Sequence, residues 1–223
     1  MHVQLQTDYK QMEEVSLYNL KLKGKNFRSA ILFMLAKAIH ANHPDVKARE
    51  PGSPFKSFEN TIQHEQVMTL AACIEIAHNA SLLQDDIIDR ADSRRSKEAA
   101  HKIYGASVSI FASDFMISRA SRMLTHKFDN AHMSQIFSTA VSNLVYGELI
   151  QAKRDFKHSS NLLEDQVKTI DYESYFHSYI AKTYYKTASM ISLACRGLGL
   201  IFNLDLANQR KLFEFGAHLG IAF

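Results

Sequence analysis

The sequence predicts an all-α protein. Three observations carry that expectation. Apolar residues recur at helical spacing over long segments: 61–89, 105–126, 131–153 and 170–196. The three prolines, Pro44, Pro51 and Pro54, all fall in one stretch, 42–60, which reads as a loop. The two cysteines, Cys73 and Cys195, both lie inside apolar helical segments and read as reduced core residues. A chain of 223 residues, 46% hydrophobic and 22% charged, supports one domain over residues 1–223 with a substantial core.

The elements follow in order. Residues 1–22 form a polar amphipathic helix, with Val15, Leu17, Tyr18, Leu20 and Leu22 on its apolar side and the character of the tail of a longer helix. Gly24 breaks it and lets an apolar helix, 31–41, begin. Lys25 and Arg28, three apart, share a face in that helix's first turn, where an anion gains from free N–H groups and from the dipole. His40 and His43 read as a helix C-terminal cap rather than a metal pair. Thr61, with His64, Glu65 and Gln66, opens the long helix 61–89. The segment 158–166 is a polar connector. Gly197 and Gly199 end the helix 170–196, 203–208 is a turn, and 209–223 opens another helix.

A net charge of +3 without a dense basic cluster excludes a nucleic-acid binder. No apolar run reaches membrane-spanning length, and no signal peptide is visible.

The chemistry concentrates in 79–97, NASLLQDDIIDRADSRRSK. Asp85 and Asp89 are one helical turn apart on one face, Asp86 points well away, and Ile87 and Ile88 face the core. Ser81 and His78 continue the same stripe backwards. Two carboxylates so placed make a hard oxygen site suited to Mg²⁺, which keeps several waters and bridges to substrate phosphates. The polar segment 91–93 allows a turn that folds Arg94 and Arg95 back over the acids. Metal-binding acids beside paired guanidiniums describe a diphosphate site.

DDIID followed by RRSK resembles the first aspartate-rich motif of the trans-prenyltransferases, the all-trans polyprenyl diphosphate synthases, which usually show DDxxD and then RRGK. Other matches are similar in kind. Gly24 to Ser29 matches GKxxRP except that Ser29 replaces proline; Gly147 to Gln151 matches GExxQ; Lys186-Thr187 matches a Lys-Thr pair; Ser113-Asp114-Phe115 stands where the family has GDF, and Gln84 where it has His. The resemblance covers residues 17–223 and implies the isoprenoid synthase fold, with long helices around a central cavity.

What the resemblance implies is head-to-tail condensation of an allylic diphosphate with isopentenyl diphosphate. Asp85 and Asp89 would hold Mg²⁺ on the allylic diphosphate, and Arg94 and Lys186, with Thr187, would neutralise that group as it leaves. Lys25, Arg28, His78 and Arg95 would hold isopentenyl diphosphate, and Gln151 would hydrogen-bond toward substrate. Ala80 and Ser81 stand where bulky aromatics stop the growing tail in short-chain members, so the expected product is long, suited to a quinone side chain, and the expected compartment mitochondrial. A homodimer, or a heteromer with a related subunit, is the expected assembly. The chain reaches only to the point before the family's second aspartate-rich motif, so weak Mg²⁺-diphosphate binding and almost no condensation are expected of residues 1–223 alone. The alternative is a non-catalytic subunit or an inactive fragment of a heteromeric synthase. A terpene cyclase, which also shows DDxxD, leaves Lys25, Arg28 and His78 without a role.

Overall fold

The computed structural model describes residues 5–22, 24, 26–42, 58–161 and 172–223, with the side chains of 60, 153–161, 172 and 174 outside the description. The elements are α1 (Lys10–Lys21), α2 (Phe27–Asn42), a 3₁₀ turn (Phe58–Asn60), α3 (Ile62–Ile88), a hairpin of β1 (Ser93–Arg94) and β2 (Lys97–Glu98), α4 (Ala100–Tyr104), α5 (Ala106–Lys127), α6 (Ala131–Asn161), α7 (Tyr172–Thr183), a π turn (Tyr184–Ala188), α8 (Ser189–Ile201) and α9 (Leu206–Ala222). Among the described residues the fold is all-α apart from that two-residue antiparallel ladder, Ser93 with Glu98 and Arg94 with Lys97.

The contacts divide the chain into two compact units, Met1–Ser134 and Gln135–Phe223. In the first, α3 is the organising rod. Its N-terminus is fixed by Thr61, whose hydroxyl accepts the His64 N–H. Val67, Leu70, Ile74, Ile76 and Leu83 are fully buried along it, and α2 and α5 add Leu32, Ala36, Met116 and Leu124. Burying each of these Val, Leu, Ile and Met side chains is worth roughly 1.5–3 kcal/mol. The Cys73 thiol sits 3.3 Å from the Ala120 carbonyl, and burial pushes it up to about 12, as expected of an inert core cysteine. In the second unit, α9 packs on α8 and the π turn, and Ile136, Ala140 and Leu193 form a buried cluster flanked by Leu200 and Phe213. Cys195 is buried there, its thiol also pushed up to about 12.

Several expectations need correction. Residues 158–161 continue α6 rather than forming a connector, while 162–166 lie outside the described residues. Gly197 and Gly199 do not end a helix: both are buried, α8 runs on to Ile201, and Gly199 lies against the Gln209 side chain. Packing favours a residue without a side chain there and overrides its low helix propensity. α9 starts at Leu206, three residues earlier than read, because the Asp205 carboxylate caps it through the Asn208 N–H at 2.7 Å. Ile88 does not face the core; it is 61% exposed at the end of α3. Lys25 and His43 lie outside the described residues.

Candidate functional site

The acidic end of α3 sorts its carboxylates by helical phase. Asp86 is 1% exposed, Asp85 half-buried and Asp89 exposed. The helix closes there, with the Asp89 N–H on the Asp85 carbonyl at 2.8 Å and the Ala91 N–H on the Asp86 carbonyl at 2.9 Å. Two residues later the hairpin reverses the chain. Its loop residues, Arg95 and Ser96, have φ of 51° and 62°, the left-handed pair of a type I′ turn. Glycine adopts the backbone that Ser96 holds without the cost a Cβ imposes.

The turn does return both arginines, though to different partners. The Arg94 Nε donates to both oxygens of Asp86, at 2.9 and 3.1 Å, and Nη2 completes a bidentate pair on Oδ1. Asp86 therefore leaves the Asp85–Asp89 stripe, as read, but it is not a bystander: it holds an arginine. That hydrogen bond is the main cause that raises the Arg94 proton affinity, and the charges of Asp85 and Asp89 add to it. The Arg95 Nη1 donates to the Leu22 carbonyl at 2.7 Å. Its guanidinium lies against Gly24, where any Cβ would come within 2.8 Å of the nitrogens. Gly24 thus does more than end α1: it leaves room for Arg95.

Three guanidiniums act on one imidazole. Burial is the first cause that pushes His78 down to about 3, and Arg28, Arg95 and Arg94 push it further. His78 is therefore neutral near physiological pH, a hydrogen-bonding group among cations rather than a fourth charge. Arg28, from the first turn of α2, has its own proton affinity lowered by burial and by Arg95, against the opposing charge of Glu75. Its Nε is buried without a hydrogen-bond partner. Arg28, His78, Arg94 and Arg95 so form a cationic cluster beside the Asp85–Asp89 pair. Partly desolvated guanidiniums, the Arg28 Nε among them unpaired, suit an anion of several charges.

Glu75 was missed in the sequence. It is 9% exposed, and accepts from the Ser29 N–H at 3.3 Å and the Ser29 hydroxyl at 2.8 Å. The available signal was a carboxylate inside the apolar run 71–77, which is costly to bury without partners. The anion at the start of α2 in this structure is thus the protein's own. Ala80 is fully buried and Ser81 half-buried, its hydroxyl donating to the His78 carbonyl at 2.8 Å. Gln84 donates to Asp114 at 3.4 Å.

The second unit carries Lys186, Thr187 and Gln151. The Lys186 ammonium pairs with Glu148 at 2.7 Å and donates to Gln151 at 3.0 Å. The backbone of the π turn runs against Gly147, where a Cβ would meet the Lys186 Cγ at 2.5 Å and its nitrogen at 2.9 Å. Glycine at 147 is what lets the lysine backbone approach α6. Thr187 is half-buried beside it, and Lys182 lies 5.7 Å from the Tyr179 ring centre. Among the described residues no three His, Cys, Asp or Glu side chains converge as a metal group, and no helix is long and apolar enough to cross a membrane. The first unit contributes a carboxylate pair, Asp85 and Asp89, and Mg²⁺ needs only one or two protein carboxylates when substrate phosphates complete its shell.

At the end of α3 this all-α fold brings together an acidic pair, three guanidiniums and a neutral imidazole. The chain belongs to the polyprenyl synthetase family, whose model matches residues 9–223. It is 32% identical over 202 residues to solanesyl diphosphate synthase 3, chloroplastic/mitochondrial, of Arabidopsis thaliana, covering 91% of this chain and 43% of that protein. It is 36% identical over 154 residues to the probable mitochondrial hexaprenyl pyrophosphate synthase of Neurospora crassa, covering 69% of this chain and 32% of that protein. The chain so spans less than half the length of these curated relatives. Among solved structures, a decaprenyl diphosphate synthase from Rhodobacter capsulatus shares the fold with a TM-score of 0.74 at 23% identity, over 99% of this chain and 57% of that one.

Proposed function

We propose that the chain acts in a trans-prenyltransferase that condenses an allylic diphosphate with isopentenyl diphosphate, yielding a long-chain all-trans polyprenyl diphosphate for a quinone side chain. The observation that carries this reading is the convergence of Arg28, Arg94 and Arg95 on a neutral His78 beside Asp85 and Asp89. Asp85 and Asp89 would hold Mg²⁺ at the allylic diphosphate, where it would supply Lewis-acid stabilisation of the charge that develops on the leaving group. Arg28, Arg95, Lys25 and His78 bind isopentenyl diphosphate. Arg94, kept protonated by Asp86, serves the allylic diphosphate. In the second unit, Lys186 with Thr187 offers a charge for an allylic diphosphate and Gln151 a hydrogen bond toward substrate. Small residues at 80 and 81 support a long product, and the solanesyl and hexaprenyl names of the relatives support the same product class. The mitochondrial names among them support that compartment.

The test combines calorimetric binding of isopentenyl diphosphate with a radiolabel assay for chain elongation in Mg²⁺. Each charge-assisted phosphate contact contributes roughly 1.5–3 kcal/mol, so Arg28→Ala and Arg95→Ala are each expected to weaken binding about ten- to a hundred-fold. Binding by both variants as tight as by the parent chain would refute the site. Binding that depends on these arginines, with no polyprenyl product even from a longer chain that carries a second aspartate-rich motif, would mark the protein as a non-catalytic subunit.

A further inference from the structure

We infer that Glu75 is a positioning residue: it clamps the first turn of α2 through Ser29 and so sets Arg28 against the isopentenyl diphosphate site. This rests on the function proposed above and assigns a role to a group outside that site's motifs. Three observations carry it. Glu75 is a nearly buried carboxylate in an apolar stretch of α3, where an unpaired charge is costly. One of its oxygens, Oε1, receives both Ser29 donors, the hydroxyl at 2.8 Å and the backbone N–H at 3.3 Å. Ser29 is the third residue of α2, whose N–H has no partner within its own helix, and a carboxylate at that end also meets the favourable end of the dipole.

The residue next to Ser29 is Arg28. Fixing Ser29 fixes the Arg28 backbone, and the Glu75 charge opposes the burial and the Arg95 repulsion that act on the Arg28 guanidinium. Glu75 also stands three residues, just under a turn, before His78 on α3. One carboxylate thereby ties together the two helices that supply Arg28 and His78. The arrangement gives Ser29 a purpose that proline, the usual family residue there, does not have: proline has neither the hydroxyl nor the N–H.

The experiment measures two affinities by calorimetry, for isopentenyl diphosphate and for a non-reactive allylic thiodiphosphate with Mg²⁺. The variants are Glu75→Ala, Glu75→Gln, Ser29→Ala, Arg28→Ala and the double variant Arg28→Ala/Glu75→Ala. Glu75→Ala is expected to weaken isopentenyl diphosphate about ten-fold, one charge-assisted contact's worth, while the allylic analogue changes less than about two-fold. Glu75→Gln should recover part of the loss, because its amide oxygen still accepts from Ser29, and Ser29→Ala should show a smaller selective loss. In the Arg28→Ala background, Glu75→Ala should add little, the non-additivity expected when one residue acts through another. Should Glu75→Ala not fold, Glu75→Gln and Ser29→Ala carry the same comparison. Equal weakening of both ligands, in step with a fall in Tm, would show a merely structural role and overturn the inference. So would full additivity with Arg28→Ala. If Arg28→Ala itself leaves isopentenyl diphosphate binding unchanged, the site reading fails and takes this inference with it.

Discussion

Cutting the Arg94–Asp86 pair from either end should give unequal results. The Asp86 side chain is 2% exposed and that of Arg94 28%. Arg94→Ala strands a carboxylate with no route to water, and breaking a buried pair this way costs about 3–5 kcal/mol. Asp86→Ala strands a guanidinium that already reaches solvent and keeps Asp85 and Asp89 nearby, so it loses about 1.5–3 kcal/mol, the worth of a charge-assisted hydrogen bond. For a chain of this size 1 kcal/mol shifts Tm by about 2–4 °C, which separates the variants by several degrees. Thermal unfolding followed by far-UV circular dichroism measures the difference. An Asp86→Ala deficit equal to or larger than that of Arg94→Ala would refute the burial argument.

Other outcomes can be checked with similar means. His78 in the folded chain lies near 3 against 6.5 when unfolded, so the unfolded state takes up its proton first. Stability should therefore be lost as pH falls from about 6.5 toward 3, and His78→Asn should flatten that part of the profile in unfolding experiments. Asp85→Ala and Asp89→Ala should each abolish Mg²⁺-dependent binding of an allylic thiodiphosphate while sparing Mg²⁺-free binding of isopentenyl diphosphate; equal loss of both would point to misfolding instead. In a longer chain that carries the second aspartate-rich motif, Ser81→Phe should shorten the polyprenyl product seen by chromatography, whereas Ala80→Tyr must force a ring into a fully buried position and should lower Tm, overpacking costing about 1–3 kcal/mol. Ser96→Gly should stabilise the chain by about 1 kcal/mol, because the residue sits at φ 62° in the hairpin turn; an unchanged or lowered Tm would contradict that reading.

Helix existence was legible because the signals are local. Thr61 as a cap, the length of α3 and the break near Gly24 all follow from neighbours within a few residues. The phase of the acids was legible too: Asp86 does leave the stripe of Asp85 and Asp89. What Asp86 meets was not, because Arg94 reaches it only through a hairpin whose turn residues are an arginine and a serine rather than the usual glycine or asparagine. Ile88 was misjudged because α3 ends beside it, and a helix end exposes residues that its interior periodicity assigns to the core. Glu75 was passed over because its partner, Ser29, lies 46 residues away on another helix. The break in register at Tyr184 leaves no composition signal, since its tyrosines, lysine and threonine suit an ordinary helix equally well.

The π turn acts on the rod from Tyr172 to Ile201 as a phase slip acts on a grating. Such a turn holds about one residue more than an α turn, so everything beyond it is rotated by roughly 100° from where a continuous α-helix would place it. The two sides of the slip also differ in burial: residues 175–179 are exposed, whereas 188–195 are buried without interruption. Aligning the tyrosines of α7 on one wheel with the core residues of α8 averages two unrelated orientations. Substitutions that favour α-helix leave the slip in place, because the residue count is unchanged. Deleting one residue between Tyr184 and Ala188 would erase it, and the rod would then have to choose between presenting Lys186 to Glu148 and presenting Leu193 to the core.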